Sequence, residues 1–323
     1  MFGIVIITYN SEDVIGRCLD SCLNIPDADV VVVDNNSSDG SRAEIGKRSR
    51  VRLIANSSNR GFAAAANQGI EALDTSCVLL LNPDTVLKSG IEGLVTACMQ
   101  SRVGAVGGLL LGVDGEPQDG FNIRGFPTAV TLAFEALGVN RLWAANPVNR
   151  AYRQPTPKVA IQNADQPAGA MLMIRRTAWQ EIGGFDEAFH PVWFEDVDFC
   201  RRLRNADYQI AFVPGAIAEH IGAHSAKKLD WESRELYWYG SLLRYASKHF
   251  SAPGRILVTV SVALGCVPRM LMQSLLNRNL KPVSVYSKVM LRSGACLICS
   301  HGGEMGAPPR LAVKPQGSDF TVS

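Results

Sequence analysis

Apolar residues in the first half of the chain fall into short unbroken runs: Ile4 to Ile7, Val30 to Val33, Val51 to Ala55 and Cys77 to Leu81. Unbroken runs, as opposed to alternating ones, predict strands covered on both faces, the usual state of a parallel sheet. Between them Val14, Ile15, Cys18, Leu19, Cys22 and Leu23 recur at helical spacing, and the Ala-rich stretch 61–73 predicts another helix. Repeated winding of this kind predicts an α/β fold with a Rossmann-like, mostly parallel sheet flanked by helices.

The second half is less regular. Residues 112–162 are punctuated by Gly and Pro and predict an insertion with one helix near Ala129 to Leu137. A strand over Ala168 to Arg175 follows, then a helix over Phe194 to Asn205 that opens on acids, a strand over Gln209 to Val213 and an aromatic-rich helix over Trp231 to Phe250. The apolar run Ile256 to Val267 is too short to span a bilayer and is stopped by Pro268 and Arg269, which predicts an interfacial amphipathic helix. From Ala307 onward the composition predicts a disordered tail.

Open parallel sheets bind ligands beyond the carboxyl ends of their strands. Those positions are polar here: Thr8-Tyr9-Asn10, then Asp34 to Gly40, then Asn56 to Gly61, then Asn82-Pro83-Asp84. Asp34, alone, reads equally well as a contact to a ribose or a pyrimidine N3–H and as the start of an Asx-turn. Asp84 follows a rigid Pro and either holds a hard cation such as Mg²⁺ or Mn²⁺ or caps a helix starting near Lys88. A dinucleotide-binding turn is excluded, because Thr8-Tyr9-Asn10-Ser11 has no Gly-rich cradle.

Glu195, Asp196 and Asp198 fall in a first helical turn. Acids stabilise that position by ~0.3–1 kcal/mol, but three are more than capping requires. The preceding segment His190 to Phe194 is aromatic enough to hold an acceptor, and one carboxylate at the helix start suits a general base. Asp196 is the first choice and Glu195 the alternative. His220 and His224 follow as candidate metal or diphosphate contacts, His220 ahead of His224.

Charge and cysteines narrow the setting. At 323 residues, 47% hydrophobic, with 32 basic against 30 acidic side chains and a net +2, the chain is neither a nucleic-acid binder nor a trap for acidic substrates. The imbalance is local: from Phe250 to Lys314 eight cations face the single acid Glu304, which with the apolar content predicts peripheral contact with an anionic membrane. Cys18, Cys22, Cys77 and Cys98 lie in apolar runs, as buried thiols in a reducing compartment would, and the isolated pair Cys296 and Cys299 is a weak metal signal. The chain opens directly on a strand without a basic lead or cleavage site, which predicts a cytoplasmic enzyme on the inner face of the membrane.

Taken as an ordered set, Thr8-Tyr9-Asn10, Val33 to Ser41, Asn59-Arg60-Gly61-Phe62, Asn82-Pro83-Asp84, Gly183 to Asp186 and Phe194 to Asp198 resemble the family 2 glycosyltransferases of the GT-A fold over residues 2–225. The resemblance implies a glycosyltransferase domain over 1–250, with a nucleotide-binding half (1–111) and an acceptor-binding half (112–250). A basic helical extension (251–306) and a tail (307–323) complete the chain. It implies inverting transfer from a nucleotide diphosphate sugar. Asp34 contacts base or ribose, with Thr8, Tyr9, Asn10, Asn36, Asn59, Arg60, Gly61 and Asn82 around the donor. Asp84 and His220 hold the metal, Gly169 in Pro167 to Ala170 lies beside the sugar, and Asp196 or Glu195 is the base. Where the usual motif has a first acid this chain has Asn82, which implies weaker metal affinity. Asn-Pro-Asp, Arg124-Gly-Phe-Pro127 and Asn146-Pro-Val resemble members that transfer rhamnose from dTDP-rhamnose to a glycan or polyprenyl-linked acceptor; UDP-sugars are the other donor class. The competing readings are a sugar nucleotidyltransferase, which needs a basic Gly-rich loop absent after the first strand, and a silent membrane partner of a glycan-assembly complex, against which the three carboxylates stand.

Overall fold

The computed structural model describes residues 1–222 and 228–298, so His224, Cys299 and the tail lie outside the described residues, as does the side chain of Cys296. In chain order the elements begin β1 (Phe2–Thr8), α1 (Glu12–Leu23), β2 (Ala28–Asp34), α2 (Ser41–Gly46), β3 (Val51–Ala55), α3 (Phe62–Glu71), β4 (Cys77–Leu81), β5 (Thr85–Ser89), α4 (Ile91–Cys98) and β6 (Val103–Leu111). The insertion contributes β7 (Ile123–Arg124), α5 (Ala129–Leu137), α6 (Val139–Leu142), α7 (Pro147–Tyr152) and β8 (Ile161–Gln162). Then come β9 (Gln166–Pro167), β10 (Met171–Arg175), α8 (Arg176–Glu181), α9 (Glu195–Asn205), β11 (Gln209–His220), α10 (Trp231–His249), α11 (Ala252–Asn277) and α12 (Lys281–Ile298).

The main sheet runs β3-β2-β1-β4-β10-β6-β11-β5, with β8 on β11. β3, β2, β1, β4, β6 and β11 point one way; β10, antiparallel to both β4 and β6, and β5, antiparallel to β11, point the other. The sheet is therefore mostly parallel, as the runs predict. β1 and β4 are buried throughout. β3 departs from that expectation: it is the sheet's edge strand, Leu53 is exposed, and only Val51 and Ile54 turn inward.

One face of the sheet packs on α1 through Ile15, Cys18, Leu19 and Cys22, the other on the Ala-rich α3. Gly69 sets that second distance, since a Cβ there would lie 2.4 Å from Val5 Cγ1. Cys18, Cys22, Cys77, Cys98, Cys200 and Cys266 are free and buried.

Three expectations need correction. Thr85–Ser89 is a strand and the next helix starts at Ile91, so Asp84 caps no helix near Lys88. β11 does not end at Val213: Pro214-Gly215 is absorbed as an irregularity between Val213 and Ile217, and the strand continues to deliver His220 at its end. Nor does Pro268 stop the C-terminal helix, because α11 runs through it for 26 residues. Pro268 removes the hydrogen bond to Leu264 O, and one residue on Arg269 Nη1 donates to Gly265 O at 2.8 Å. A third core joins α5, α9, α10, α11 and α12 through Leu132, Val197, Tyr239, Tyr245, Val262 and Tyr286.

Candidate active site

The polar edge is continuous across four neighbouring strands. Asp34 ends β2 in register with Thr8 at the end of β1, and β1 pairs with β4, whose end carries Asn82 to Asp84. Asn82 N donates to Ala170 O at 3.0 Å, placing the segment before β10 next, and Gly169 N donates to Asp196 Oδ2 at 3.3 Å. With adjacent strands ~4.8 Å apart, the row from Asp34 to Gly169 spans roughly 14 Å. All three carboxylates lie along it.

Asp34 is fully buried, and Oδ2 takes Arg42 Nε at 2.5 Å and Ser37 N at 3.1 Å. Oδ1 has no partner. A buried carboxylate oxygen without a donor is costly unless a ligand supplies one, and Asp34 is thus both the turn residue and an open acceptor. Thr8 Oγ1 beside it is likewise buried and unpartnered. Arg42 was invisible in the sequence, since nothing in its spacing marks it as the counter-ion.

Several predicted contacts serve the loops themselves. Asn10, at φ +52°, accepts Ser38 N at 2.8 Å and donates its own N–H to Ser37 Oγ at 2.9 Å, tying the loop after β1 to that after β2. Asn36 stands at φ +68°, a left-handed turn that Asn tolerates. Tyr9 is half-buried next to them. Asn59 Oδ1 accepts Gly61 N at 2.9 Å, and Arg60 N donates to Asn35 Oδ1 at 3.3 Å; both side chains are exposed, beyond the edge strand. Gly61 has φ +83°, and a Cβ there would stand 2.8 Å from His190 Cδ2, so this position packs the loop before α9 onto the start of α3.

Asp84 is buried, with Oδ2 accepting Gly222 N at 3.1 Å and Oδ1 3.5 Å from His220 Nε2. His220 Nδ1 meets Gln118 Oε1 at 2.9 Å, and Gln118 Nε2 donates to His220 O at 2.8 Å. The ring stacks on Phe121 with centroids 5.3 Å apart. Burial lowers the His220 pKa against the pull of Asp84, favouring the neutral imidazole. Its Nε2 is buried and unpartnered. A neutral imidazole nitrogen and a carboxylate oxygen facing each other fit a divalent cation. Among the described residues no three His, Cys, Asp or Glu side chains cluster as a ligand set, so diphosphate oxygens would complete the shell, the usual manner of Mg²⁺. Asn82 contributes backbone only in the contacts seen: its O accepts from Cys18 Sγ at 3.5 Å.

Asp196 stands in the first turn of α9. Its Oδ2 receives Gln166 Nε2 at 3.0 Å as well as Gly169 N, and Oδ1 receives Val197 N at 2.8 Å. Burial raises its pKa, opposed by the Arg124 guanidinium and these donors. Gly169 allows the approach, since a Cβ would lie 3.1 Å from Asp196 Oδ2. Glu195 is buried, with Oε2 unpartnered, and burial together with the Asp196 charge drives its pKa well up. Of the two acids it is Asp196 that contacts the segment before β10, through Gln166 and Gly169. Asp198 is structural, bound to Arg202, Lys248 and His249. Trp193 and Phe194, at φ +79° and +69°, form a strained turn before α9, at roughly 1–3 kcal/mol each. Gln166 and Gln118 carry no sequence signal; Arg124 was visible only as part of a motif.

Residues 3–182 match the family described as Glycosyl transferase family 2, and residues 156–225 the N-terminal domain of galactosyltransferase. An N-acetylglucosaminyl-diphospho-decaprenol L-rhamnosyltransferase of Mycobacterium tuberculosis is 29% identical over 252 residues, which cover 73% of this chain and 81% of that protein. The rhamnosyltransferase WbbL of Escherichia coli K12 is 23% identical over 257 residues, 74% of this chain and 92% of its own. Among solved structures, the mannosyltransferase PcManGT from Pyrobaculum calidifontis, in complex with GDP-Man and Mn²⁺, superposes with a TM-score of 0.53 at 13% identity, over 93% of this chain and 86% of that one. That likeness concerns the fold, which is of the GT-A type.

Proposed function

The chain belongs to glycosyl transferase family 2, and from that premise we propose that it transfers rhamnose, with inversion, from dTDP-rhamnose to a polyprenyl-diphosphate-linked saccharide acceptor in cell-surface polysaccharide synthesis. The observation that carries this reading is the row of three carboxylates along one sheet edge, each with a different unmet capacity. Asp34 Oδ1 is an open buried acceptor for a pyrimidine N3–H or a ribose hydroxyl. Asp84 and His220 are the residues that would hold Mg²⁺ or Mn²⁺. Asp196, beside the small residues Ala168-Gly169-Ala170, lies where the donor sugar would meet the acceptor.

In this reading Asp196 takes the proton from the acceptor hydroxyl as its oxygen attacks the anomeric carbon from the face opposite the leaving diphosphate. Gln166 and Gly169 N hold the accepting oxygen in place, and oriented attack of this kind supplies much of the rate. A cation held by Asp84 and His220 would supply neutralisation of the charge that develops on the leaving diphosphate. The rhamnose comes to the proposal from the mycobacterial and E. coli relatives, and the lipid-linked acceptor from the mycobacterial one. Buried free thiols support a reducing, cytoplasmic setting.

The test is donor binding by calorimetry with dTDP-, UDP- and GDP-sugars in Mg²⁺ or Mn²⁺, followed by transfer to membrane lipid extract. Asp196→Asn is expected to bind donor as the wild type does and to lose about 10²–10⁴ in transfer rate. No donor bound by the wild type, or full transfer by Asp196→Asn, sinks the reading.

A further inference from the structure

The outward face of α11 is apolar where a helix at a protein surface carries polar residues. Leu257, Val260, Leu264, Val267, Leu271 and Leu275 follow one another at three- and four-residue steps and are 39% to 77% exposed. The opposite face is fixed to the catalytic domain. Val258, Val262 and Cys266 are buried with α5 and α12. At Gly265 the backbones nearly touch, since a Cβ would lie 2.0 Å from Ala136 O. Arg269 donates to the carbonyls of Ala136 and, at 3.2 Å, Glu135 at the end of α5. Past α5 the chain continues into α6, where Leu142 is 92% exposed and Trp143 stands half out beside it.

By length and mean hydropathy, 1.6, α11 is able to cross a membrane. Its middle, however, is joined sideways to a folded domain, with a guanidinium two-thirds of the way along. A helix so held has water-soluble protein on one side and cannot be ringed by lipid; it is suited to lie along a surface. Charge selects which surface. Residues 251–298 carry no Asp or Glu, and of their cations Arg278 and Lys281, just past the stripe, are exposed, whereas Arg269 donates inward to α5 and Lys288 pairs with Glu232. A second copy of this face would meet it with the same charge, whereas anionic headgroups complement it.

We propose that α11 lies in the plane of an anionic bilayer, with its leucine stripe among the acyl chains and Leu142 and Trp143 inserted alongside, holding the catalytic domain against the surface without crossing it. Vesicle binding does not depend on transfer chemistry, so this and the rhamnosyltransferase reading fail separately.

The full chain is sedimented with vesicles of phosphatidylcholine alone or with phosphatidylglycerol, as wild type and as Leu264→Asp with Leu271→Asp. These side chains are exposed, so unchanged thermal unfolding of the variant verifies its fold. The wild type is expected to bind the anionic vesicles, to be weakened by salt and to be released by alkaline carbonate; the variant's partition coefficient is expected to fall at least about tenfold. Four results overturn the proposal: no wild-type binding, equal binding to both compositions, resistance to carbonate, or a variant that binds like the wild type. A wild-type dimer that binds no vesicles and that the same substitutions dissociate assigns the stripe to a second copy instead.

Discussion

Burial raises the Asp196 carboxyl, and Arg124 is the charge that most opposes the rise. If Asp196 is the base, the ascending limb of kcat/KM against pH reports its ionisation and lies above the ordinary aspartate range. Removing the guanidinium leaves burial less opposed, so Arg124→Gln is expected to move that limb to higher pH; a pH–rate profile decides it, and an unmoved limb takes Asp196 out of the role. Gly169→Ala is the steric counterpart. The added methyl, 3.1 Å from both Cβ and Oδ2 of Asp196, must displace the carboxylate by a few tenths of an ångström, and misplacement of a reacting group costs up to about 10²-fold in rate. The expected outcome is a kcat lower by about tenfold or more with donor affinity unchanged, read from steady-state kinetics beside calorimetry.

Helices α9 and α10 are joined by an ionic network rather than by apolar contact alone. Asp186 accepts Arg244 Nη2 at 3.0 Å and Lys248 Nζ at 2.7 Å, and Asp198 accepts Arg202, Lys248 and His249. Burial would raise Asp186, but Lys248, the Ala188 N–H and Arg244 outweigh it and lower its pKa to about 2; Asp198 is likewise held low against burial by His249, Arg202 and Lys248. With both folded values depressed, the unfolded chain takes up protons first as pH falls. The stability these groups contribute is complete above about pH 4 and is lost on the way down towards pH 2. Asp186→Asn is expected to flatten that part of the stability–pH curve, measured by denaturant unfolding at each pH. None of this is legible in the sequence, because the partners are 58 and 62 residues from Asp186. Strands β1, β2 and β4 were legible, since they are buried on both faces and only unbroken apolar runs satisfy that. β11 beyond Val213 and α11 beyond Val267 were not: Pro and Gly mark the usual ends of elements, and here a bulge carries the strand through and the helix runs on past Pro268.

At the scale of the molecule, the C-terminal helices are part of the fold as well as an attachment to it. The sequence sets residues 251–306 apart by charge and suggests removing them as a test of membrane contact. Yet α11 and α12 bury Val258, Val262, Cys266, Val285, Tyr286 and Val289 against Leu132, Ala136, Leu236 and Tyr239, residues that belong to the insertion and to α10. Cutting the chain after Phe250 would uncover that second set, and each large apolar side chain exposed costs roughly 1.5–3 kcal/mol. Since a domain's whole stability is only about 5–15 kcal/mol, the truncated protein is expected to unfold well below the full chain or to aggregate. Thermal unfolding with light scattering measures this, and a truncated protein as stable as the full chain would make the helices a mere appendage. Loss of membrane fractionation after truncation therefore has two causes that cannot be told apart, unfolding and loss of the surface. Substitution on the exposed stripe of α11, which leaves the buried face of the same helix intact, separates them.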